Sequence, residues 1–496
     1  MIRRLNFLFA TSAAFALAGC TVGPDFVRPA APSQTGYLAP GDHALGQMPG
    51  PVAVAGAGPE RAWWTAFGSP ALDALVTRAI AHNASLEASN ATLAAAHEQV
   101  TAVRGSQLPQ VDANARVEHE RVNLSAFGFP GPNPEFELYS VGGGVSYDLD
   151  LFGGRRRRLE QAGAQAESQL RQTQAAHLTV AGQVVNQVLT IAAIRARIAT
   201  ADALLAEDQR NVDLTEARRR AGEGTLVEVL NARSQLEADR GDIPQLGQQL
   251  GEARHLLATL VGVAPADLEP TMFDLTDLKL PGTIPVTLPS ALVHKRPDIL
   301  QAEADLHAAT AAVGIATARL YPDVTLGATI TQGSPSIGDI FSGAFRGFDI
   351  FGGVTAPIFH GGTLKAEKRA AIDRARAADA TYRQTVLEAF RQVADLLQAI
   401  GSDQRSVANQ QQAVNVAQRS LDLSRRSFQV GNSGILQVLE SERLYQRSTA
   451  NLVEARARQY LNIARLYVAT AGGWAGDSGI ASAGIRRSRL ESRRAF

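Results

Sequence analysis

LAAAHEQVTAVRGSQLP at residues 93–109 returns as LHAATAAVGIATARLYP at residues 306–322, at an offset of 213 residues in a chain of 496. GEGTLVEVLNAR at residues 222–233 returns as GNSGILQVLESE at residues 431–442, at an offset of 209. Two matches at nearly the same offset indicate two copies of one structural unit. The sequence therefore predicts an internal repeat that covers most of the chain.

The segment between these matches carries a mostly apolar series at every seventh position in both copies. The series runs Leu170, His177, Val184, Ile191, Ile198, Leu205 and Val212, and 209 residues later Asp379, Val386, Val393, Ile400, Val407, Val414 and Leu421. Such a long seam is typical of coiled-coil helices. It predicts two long helices and four shorter ones, over residues 155–221, 362–430, 70–108, 225–261, 287–321 and 435–471. Within the helix predicted for 225–261 we expect a kink at Pro244, because proline lacks the backbone N–H donor.

The period changes from seven to two in the middle of each copy, which predicts four strands. These cover residues of about 110–124, 137–149, 323–333 and 347–358. Two soluble hairpins packed on a helix bundle are the simpler interpretation, but about ten residues of alternating polarity also suit a tilted strand that crosses a bilayer. In lipid, an open four-stranded sheet would leave backbone groups unpaired, so copies of the chain would have to pool strands. Two copies give eight strands with a filled interior, and three give twelve strands with room for a lumen.

Composition excludes several classes of function. Lysine plus arginine and aspartate plus glutamate each number 48, and this balance argues against a nucleic-acid-binding protein. Cys20 is the only cysteine, so neither a disulfide framework nor a thiolate zinc cluster can form. No zinc-protease helix, nucleophile elbow or phosphate-binding loop occurs in the sequence, so we expect no enzyme activity, no bound metal and no cofactor.

The N-terminus has the features of a lipoprotein signal. Arg3 and Arg4 precede an apolar run at residues 5–18 that is too short to cross a bilayer. The run ends in LAGC, and small residues before a cysteine are what a lipoprotein signal peptidase accepts. We therefore expect Cys20 to be the lipid attachment site, acylated with palmitate-type chains that hold the mature protein at the membrane. A secretory signal followed by a chance cysteine is the alternative.

Residues 20–29 read CTVGPDFVRP. This segment resembles the start of mature outer-membrane efflux lipoproteins that serve resistance–nodulation–division (RND) pumps, the NodT-like relatives of TolC and OprM. Gly472, Gly473 and Trp474 resemble the closing motif of that family, and the repeat extends the resemblance over nearly the whole chain. Thr21, rather than aspartate, after the cysteine resembles the sorting signal for the outer membrane.

The resemblance implies a mainly α fold with a membrane β-barrel. Long coiled-coil helices would form a periplasmic tube, and four strands per chain would contribute to a 12-stranded barrel shared by a homotrimer. The expected function is an outer-membrane channel of a tripartite efflux system, a passive exit duct for drugs or other small molecules. The implied partners are a periplasmic adaptor protein, an inner-membrane RND-type pump and membrane lipids, with no nucleic acid. The expected location is the cell outer membrane, with a lipid anchor and a long periplasmic extension.

The sequence and the resemblance together divide the chain into six segments. These are a lipoprotein signal peptide (1–19), a lipid-anchored extended strap (20–61), the first efflux repeat (62–262), a linker (263–284), the second repeat (285–472) and a disordered tail (473–496).

The resemblance also implies a gate at the turn that ends each long helix. Glu228 and Glu440 fall on carboxylate positions that ring the closed entrance in the TolC-like family. Gln437 stands at a further carboxylate position and Ser433 stands where TolC has an arginine, which predicts a weaker ionic latch. We therefore expect apolar packing around Phe428 to share in the closure. Without the resemblance, these carboxylates would be read as ordinary solvated side chains at helix ends.

A basic cluster opens each long helix. It consists of Arg155, Arg156, Arg157 and Arg158 in the first copy and of Lys365, Lys368 and Arg369 in the second. Cations in the first turn oppose the helix dipole, so another interaction should favour them. We expect contacts with lipid phosphates, and a solvated helix end is an equally good interpretation.

Two other functions remain as alternatives to the channel. A periplasmic adaptor lipoprotein has one helical hairpin, which would not explain two matching repeats with paired strands. A structural coiled-coil lipoprotein would not need strands of the barrel type.

Overall fold

The computed structural model describes residues 21–39, 50–56, 58–123, 128, 130, 132, 134–269, 272–342 and 346–470. The predicted attachment site at Cys20 and the closing motif at residues 472–474 lie outside these residues. The described residues are mainly helical and divide into two compact units. The strand unit comprises residues 21–29, Leu93–Gln169 and Gln301–Tyr382, and the helix unit comprises Ala30–Thr92, Leu170–Leu300 and the residues from Arg383 onward.

The strands are β1 (Val52–Ala55), β2 (Gln110–Arg121), β3 (Glu135–Leu149), β4 (Thr283–Val286), β5 (Asp323–Ser334) and β6 (Arg346–Thr355). The helices are α1 (Pro70–His82), α2 (Ala84–Gly105), α3 (Gly154–Arg220), α4 (Leu226–Arg240), α5 (Asp242–Val261), α6 (Pro289–Leu292), α7 (Pro297–Ala318), α8 (Thr363–Gln429) and α9 (Ile435–Ala469). Within the ranges described, none of the helices combines the length and the apolar character needed to span a bilayer.

The strand unit is built on one antiparallel sheet with the order β2-β3-β5-β6. Strands occur at all four positions predicted from the period of two. β2 ends at Arg121 and β6 at Thr355, each a few residues before the expected end. β6 stops ahead of Pro357, whose missing N–H could not extend the ladder.

The strand register sorts the side chains of the sheet into rows of one polarity. Val111 is paired with Val145, Val145 with Ala328, and Ala328 with Ile350, which makes an apolar row across all four strands. The next row, on the opposite face, contains Asp112, Gly144, Thr329 and Asp349. In the apolar row, the side chains at the outer strands stay exposed, at 78% for Val111 and 76% for Ile350. The face of the sheet that carries this row is therefore apolar, and within the described part of a single chain the row is not covered by protein at the outer strands.

The two long helices confirm the heptad prediction, since α3 and α8 each contain 67 residues. Seam residues pack each long helix against the helix that follows its terminal turn. In the helix unit, Leu205 and Val212 of α3 contact Ala232 and Leu236 of α4. In the second copy, Leu421 of α8, the equivalent of Val212, contacts Ile435 and Val438 of α9. The apolar seam thus makes two antiparallel helix pairs, α3–α4 and α8–α9.

The single helix predicted for residues 70–108 is wrong, because Asn83 divides it into α1 and α2. Asn83 has an extended backbone, and its Oδ1 accepts hydrogen bonds from the N–H groups of Ser85 (3.0 Å) and Leu86 (3.3 Å). Its Nδ2 donates to the carbonyl of Leu260 near the end of α5 at 2.8 Å. The asparagine side chain therefore caps one helix and satisfies the last turn of another.

The expected interruption near Pro244 is present and lies at Gly241, between α4 and α5. Pro244 has no N–H to donate to the carbonyl of Arg240, four residues earlier, and its ring crowds that carbonyl. The break therefore falls one turn before the proline. In the second copy, where Val453 takes the equivalent position, α9 continues unbroken from Ile435 to Ala469.

Residues 287–321 also do not form the single helix that was predicted. The chain makes the one-turn helix α6 and starts α7 afresh at Pro297, because a residue before proline is disfavoured in the helical conformation. A second feature was not predicted at all. β1 in the strap pairs in parallel with β4, from Val52 opposite Thr283 to Ala55 opposite Val286. The linker and the strap therefore hold each other in the helix unit.

We predict that Asn83→Ala lowers the free energy of unfolding by about 2 kcal/mol, since it removes a helix cap and leaves the Leu260 carbonyl without its donor. Thermal unfolding in detergent can be followed by circular dichroism at about 222 nm, near the helix minimum. The midpoint of unfolding should be lower by a few degrees. Asn90→Ala, on an exposed position of α2, is the matched control and should leave the midpoint unchanged. Equal midpoints for both variants would contradict the assigned role of Asn83.

Candidate functional site

The turn between α3 and α4 is closed by a capping box. Gly222 adopts a positive φ of 79° and ends α3. The Thr225 side chain accepts the N–H of Glu228 at 3.3 Å, and the Glu228 carboxylate accepts the N–H of Thr225 at 2.9 Å. The first predicted gate residue, Glu228, is thus half-buried and holds the start of α4 in place.

The turn between α8 and α9 has a similar backbone but a different set of side-chain contacts. Gly431 has a φ of 78°, and Gly434 precedes the first turn of α9 without any side-chain cap. Gln437 and Glu440 are both exposed on α9. Glu440 accepts a hydrogen bond from Arg443, one helical turn later, at 2.7 Å. Of the two predicted gate carboxylates, only Glu440 therefore stands on the exposed surface of its turn.

Phe428, the predicted apolar gate residue, packs between the two turns. It lies against the cluster formed by Leu421, Ile435 and Val438. The guanidinium carbon of Arg218, near the end of α3, lies 4.9 Å from the centroid of its ring. This cation–π contact joins the end of one long helix to the end of the other. Sequence reasoning did not single out Arg218, which is the first of three consecutive arginines at the end of α3.

Ion pairs behind the turns join each long helix to its partner. Glu216 of α3 pairs with Arg233 of α4. In the second copy, Arg425 of α8 pairs with Glu442 of α9 at 2.9 Å. The two pairs occupy equivalent positions at the repeat offset of 209, with the positive and negative residues exchanged. The repeat therefore preserves the ion pair while reversing its direction.

The second of these pairs is buried and is linked to the first copy. Glu442 is only 2% exposed, and it accepts a hydrogen bond from the Asn211 side chain of α3 at 2.8 Å. Arg425 also donates to Glu207 of α3 at 2.9 Å. Burial raises the pKa of Glu442 above its ordinary value, although the bond from Asn211 and the charge of Arg425 oppose that shift. The α3–α4 and α8–α9 pairs are thus tied together by polar contacts.

A cavity of about 870 Å³ opens beside this network in the helix unit. It is bounded by α3, α4, α5 and α9, and its polar lining includes Asp208, Asn211, Gln235, Asp239, Gln245 and Glu442. Asp208 is 5% exposed and lies in the same seam as the apolar residues that join α3 to α4. None of these carboxylates was singled out from the sequence, because a charged residue on a heptad seam carries no signal of its own.

The N-terminal segment of the strap, residues 21–29, is docked on the strand unit by Arg157. The guanidinium of Arg157 is ion-paired with Asp25 at 2.5 Å and with Glu160 at 2.8 Å. It also donates to the carbonyl of Val22 at 3.4 Å, and only 5% of its side chain is exposed. Arg157 is therefore occupied by the chain itself and is not available to a lipid phosphate.

The docked segment lies very close to helix α7. Gly23 has a φ of 94°, and a Cβ added there would lie 2.5 Å from the Cα of Gly314. Gly23 therefore needs glycine both for its backbone conformation and for this close approach. A Cβ on Gly314 would lie 2.8 Å from the Arg157 side chain, so glycine there leaves room for the buried guanidinium. Phe26 stacks on His307 of α7 with 4.4 Å between the ring centroids, and Arg28 donates to Glu303 at 2.7 Å. The segment that follows Cys20 is thus fixed along its length.

Glu160 connects these contacts, because His307 lies 2.9 Å from the carboxylate that Arg157 also binds. Burial would raise the pKa of Glu160, but the hydrogen bonds from Arg157 and His307 outweigh it and lower that pKa below its ordinary value of 4.5. A lowered pKa means that Glu160 stabilises the docked strap above about pH 4.5, and that this contribution is lost as the pH falls through the lowered value.

The other cations of the basic cluster differ in their surroundings. Asp150 accepts hydrogen bonds from the N–H groups of Arg155 (2.9 Å) and Arg156 (2.8 Å), and Asp148 pairs with the Arg155 side chain. These carboxylates offset the unfavourable effect of cations in the first turn of α3. Their signal was present as DLD at residues 148–150. Arg156, Arg158 and Lys365 are exposed and Lys368 is half-buried, so the phosphate contacts stay a prediction for these four.

Comparison with known proteins bears on the whole chain. Residues 75–263 and 288–472 match the model of the outer membrane efflux protein family. The chain is 32% identical over 464 residues to the pyoverdine export outer membrane protein OpmQ of Pseudomonas aeruginosa, which covers 92% of this chain and 94% of that protein. It is 26% identical over 465 residues to the cation efflux system protein CusC of Escherichia coli, with 93% and 97% covered.

The fold of the chain is similar to that of a solved channel. The structure of the outer-membrane channel OprN matches with a TM-score of 0.83 at 27% sequence identity. The match covers 92% of this chain and all of the OprN chain.

We predict that Arg157→Met releases residues 21–29 from the strand unit, because the strap loses an ion pair with a largely exposed carboxylate and a backbone contact to a charged group, together worth about 1.5–3 kcal/mol. Hydrogen exchange followed by mass spectrometry should show the amide protons of this segment exchanging at least about tenfold faster. Arg158→Met, one residue along at an exposed position, is the control and should exchange like the wild type. Unchanged protection in Arg157→Met would show that α7 alone holds the strap.

Proposed function

Because the chain belongs to the outer membrane efflux protein family, we propose that it is the passive exit duct of a tripartite efflux system. It is an efflux channel of the outer membrane, and the relatives reported above are export proteins and channels rather than enzymes. We also propose how the chains assemble and by which path small molecules leave. Family membership leaves no support for a periplasmic adaptor or a structural lipoprotein.

The uncovered apolar face of the sheet is the observation that carries this proposal. Val111 and Ile350 at the outer strands would meet lipid, while the row that contains Asp112 and Thr329 would meet water. A four-stranded sheet that ends at β2 and β6 leaves backbone donors and acceptors unpaired at both edges, which lipid does not tolerate. We propose that three chains pair these edges into a 12-stranded barrel around a lumen. Two chains would make eight strands with a filled interior.

The energy for export would come from outside the chain. The proposed partners are an inner-membrane pump of the RND type and a periplasmic adaptor that delivers the cargo to the turns at the ends of the long helices. The names of the relatives refer to different cargoes, pyoverdine for OpmQ and cations for CusC. This difference fits a duct that passes small molecules selected elsewhere.

Cys20 is the proposed lipid anchor of the mature chain. Its position supports this, since the N–H of Val22, two residues later, donates to the carbonyl of Phe152 in the strand unit at 3.1 Å. The acyl chains would therefore leave the protein beside the membrane-facing sheet. Arg156, Arg158, Lys365 and Lys368 are the proposed contacts with lipid phosphates, as exposed or half-buried cations at the starts of the long helices.

The two helix turns form the proposed periplasmic gate. Glu228, Gln437 and Glu440 would approach their copies around the trimer axis, and Phe428 would add apolar closure. Three copies of each carboxylate in a narrow entrance would repel one another and raise the local concentration of cations. The capping role of Glu228 and the Arg443 pair of Glu440 hold both side chains at the turns, which supports this arrangement.

We predict a trimer of acylated chains. Native mass spectrometry of membrane-extracted protein should give three times the mass of a chain that begins at Cys20 and carries lipid, and Cys20→Ser should keep the threefold mass without the lipid. A monomeric or dimeric mass would contradict the shared barrel, and an unmodified Cys20 would contradict the anchor.

We predict that Glu228→Gln combined with Glu440→Gln lowers cation selectivity in planar bilayers, because it removes six carboxylates from the entrance of a trimer. Glutamine at residue 228 keeps the capping box, so the turn stays folded. The reversal potential across a salt gradient should move toward zero while the wild type stays cation-selective. The exposed change Glu237→Gln on α4 is the control.

The same recordings test the duct itself. Failure of the wild type to conduct at any voltage would contradict the proposed duct. A conducting double variant with an unchanged reversal potential would place the selectivity away from the two turns.

A further inference from the structure

Two carboxyl groups meet inside the seam between α3 and α4. Asp208 is 5% exposed and sits between Leu205 and Val212, the apolar residues of α3 that pack on α4. Asp239 of α4 lines the same cavity, and its carboxyl group is close enough to Asp208 to affect the pKa of that residue. The Oδ2 atom of Asp208 is fully buried and, among the described residues, receives no hydrogen bond. Carboxylate oxygens are acceptors only, so a direct hydrogen bond between the two groups requires a proton on one of them.

The surroundings of the pair favour keeping that proton. Burial is the main effect that raises the pKa of Asp208 to about 7, and the hydrogen bond and charge of Asp239 add to it. The charges of Glu442 and Glu207 act in the same direction. Two carboxylates this close cannot both ionise without strong repulsion.

Charged groups from each neighbouring helix surround the pair. They are Arg197 and Glu207 of α3, Asp242 of α5, Arg425 of α8, and Glu440, Glu442, Arg443 and Arg447 of α9. Arg425 is held by Glu207 and Glu442, and Arg443 is held by Glu440. Two of the four cations, Arg425 and Arg443, are therefore engaged with other carboxylates. Among the described residues, none of the four donates a hydrogen bond to the buried Oδ2 of Asp208.

The pair lies beside the break in the second helix of the first copy. Asp239 is two residues before Gly241, where α4 ends and α5 begins. The Pro244 position removes one backbone hydrogen bond across this break. α4 is therefore a 15-residue segment that carries Glu228 near one end and Asp239 near the other. Contacts with α3, rather than continuity with α5, determine its orientation.

We propose that a proton shared by Asp208 and Asp239 fastens α4 to α3, and that loss of this proton at alkaline pH frees α4 to pivot about Gly241. The contribution to α3–α4 packing is complete below about pH 3.8, the ordinary value for aspartate, and is lost as the pH rises through about 7. The second copy has Ala417 and Ser448 at the equivalent positions, so the carboxyl pair exists in the first copy and not at these positions of the second. That the pivot moves the gate residue Glu228 rests on the proposed function.

Hydrogen exchange of residues 226–240 in the detergent-solubilised full-length protein tests the proposal. Wild type and Asp208→Asn are compared at the same pH, so that the intrinsic pH dependence of exchange cancels. Asparagine is close in shape to protonated aspartate and can donate to Asp239 at any pH. At about pH 6 the two proteins should exchange alike, and at about pH 8.5 the wild type should exchange about tenfold faster or more.

Two further variants keep the test decisive. Asp213→Asn makes the same chemical change at an exposed position of α3 and should follow the wild type. Asp208→Ala combined with Asp239→Ser introduces the residue types that the second copy has at the equivalent positions. This double variant should show no pH dependence of exchange relative to Asp208→Asn. Equal exchange of wild type and Asp208→Asn at about pH 8.5 would overturn the proposal. Protection that follows added Ca²⁺ rather than pH would also overturn it, since a cation would then occupy the place of the proton.

Conductance in bilayers separates this inference from the gate. One outcome is that hydrogen exchange of α4 follows pH as expected while the closed-state current does not. That result would support the shared proton of Asp208 and Asp239 and would contradict the proposed gate at Glu228. If neither the exchange nor the current differs between wild type and Asp208→Asn, the proposed shared proton is contradicted.

Discussion

The pairing of β3 with β5 is the interaction on which the rest of the chain depends. Eleven consecutive residue pairs, from Tyr139 opposite Ser334 to Leu149 opposite Val324, join a strand of the first copy to a strand of the second. Without this ladder each copy would carry an isolated hairpin, which is marginally stable in water. The ladder also sets the register that aligns Val145 with Ala328 and so completes the apolar row. A slip of one residue would move that row to the opposite face.

The two copies share their apolar seam but have diverged in their polar residues. The Glu216–Arg233 pair is replaced by Arg425–Glu442 with the charges exchanged. The capping box at Thr225 has no counterpart before α9, where Gly434 makes no side-chain cap. Apolar packing therefore preserves the repeated architecture, whereas polar substitutions make the two helix turns chemically different. Two turns that differ in this way can respond to different conditions while they keep the same backbone.

Periodicity predicted the elements that extend over many residues, because each repeat of a pattern adds to the signal. The long helices and the four strands of the sheet belong to this class. The break at Asn83 depends on one side chain that bonds to Leu260, 177 residues away, and no local pattern encodes that contact. β1 and β4 have only four residues each, too few for alternation to stand out.

The sequence likewise predicted where the candidate sites lie but not the contacts of their individual residues. The turns followed from glycines at equivalent positions, but the role of Arg157 depends on Asp25, 132 residues earlier in the chain. A run of four arginines looks uniform in sequence, and only the fold shows which one is buried.

The docked strap has a consequence for the order in which the protein is made. Residues 21–29 are synthesised early, yet Arg28 bonds to Glu303, which is separated from it by 275 residues. Gly23 likewise rests against Gly314 in the second half of the chain. Contacts of such high sequence separation form late, because the intervening chain must be synthesised and ordered before they can close. A segment that is synthesised early is therefore among the last to be fixed in place, so a docked strap indicates that both halves of the chain have folded.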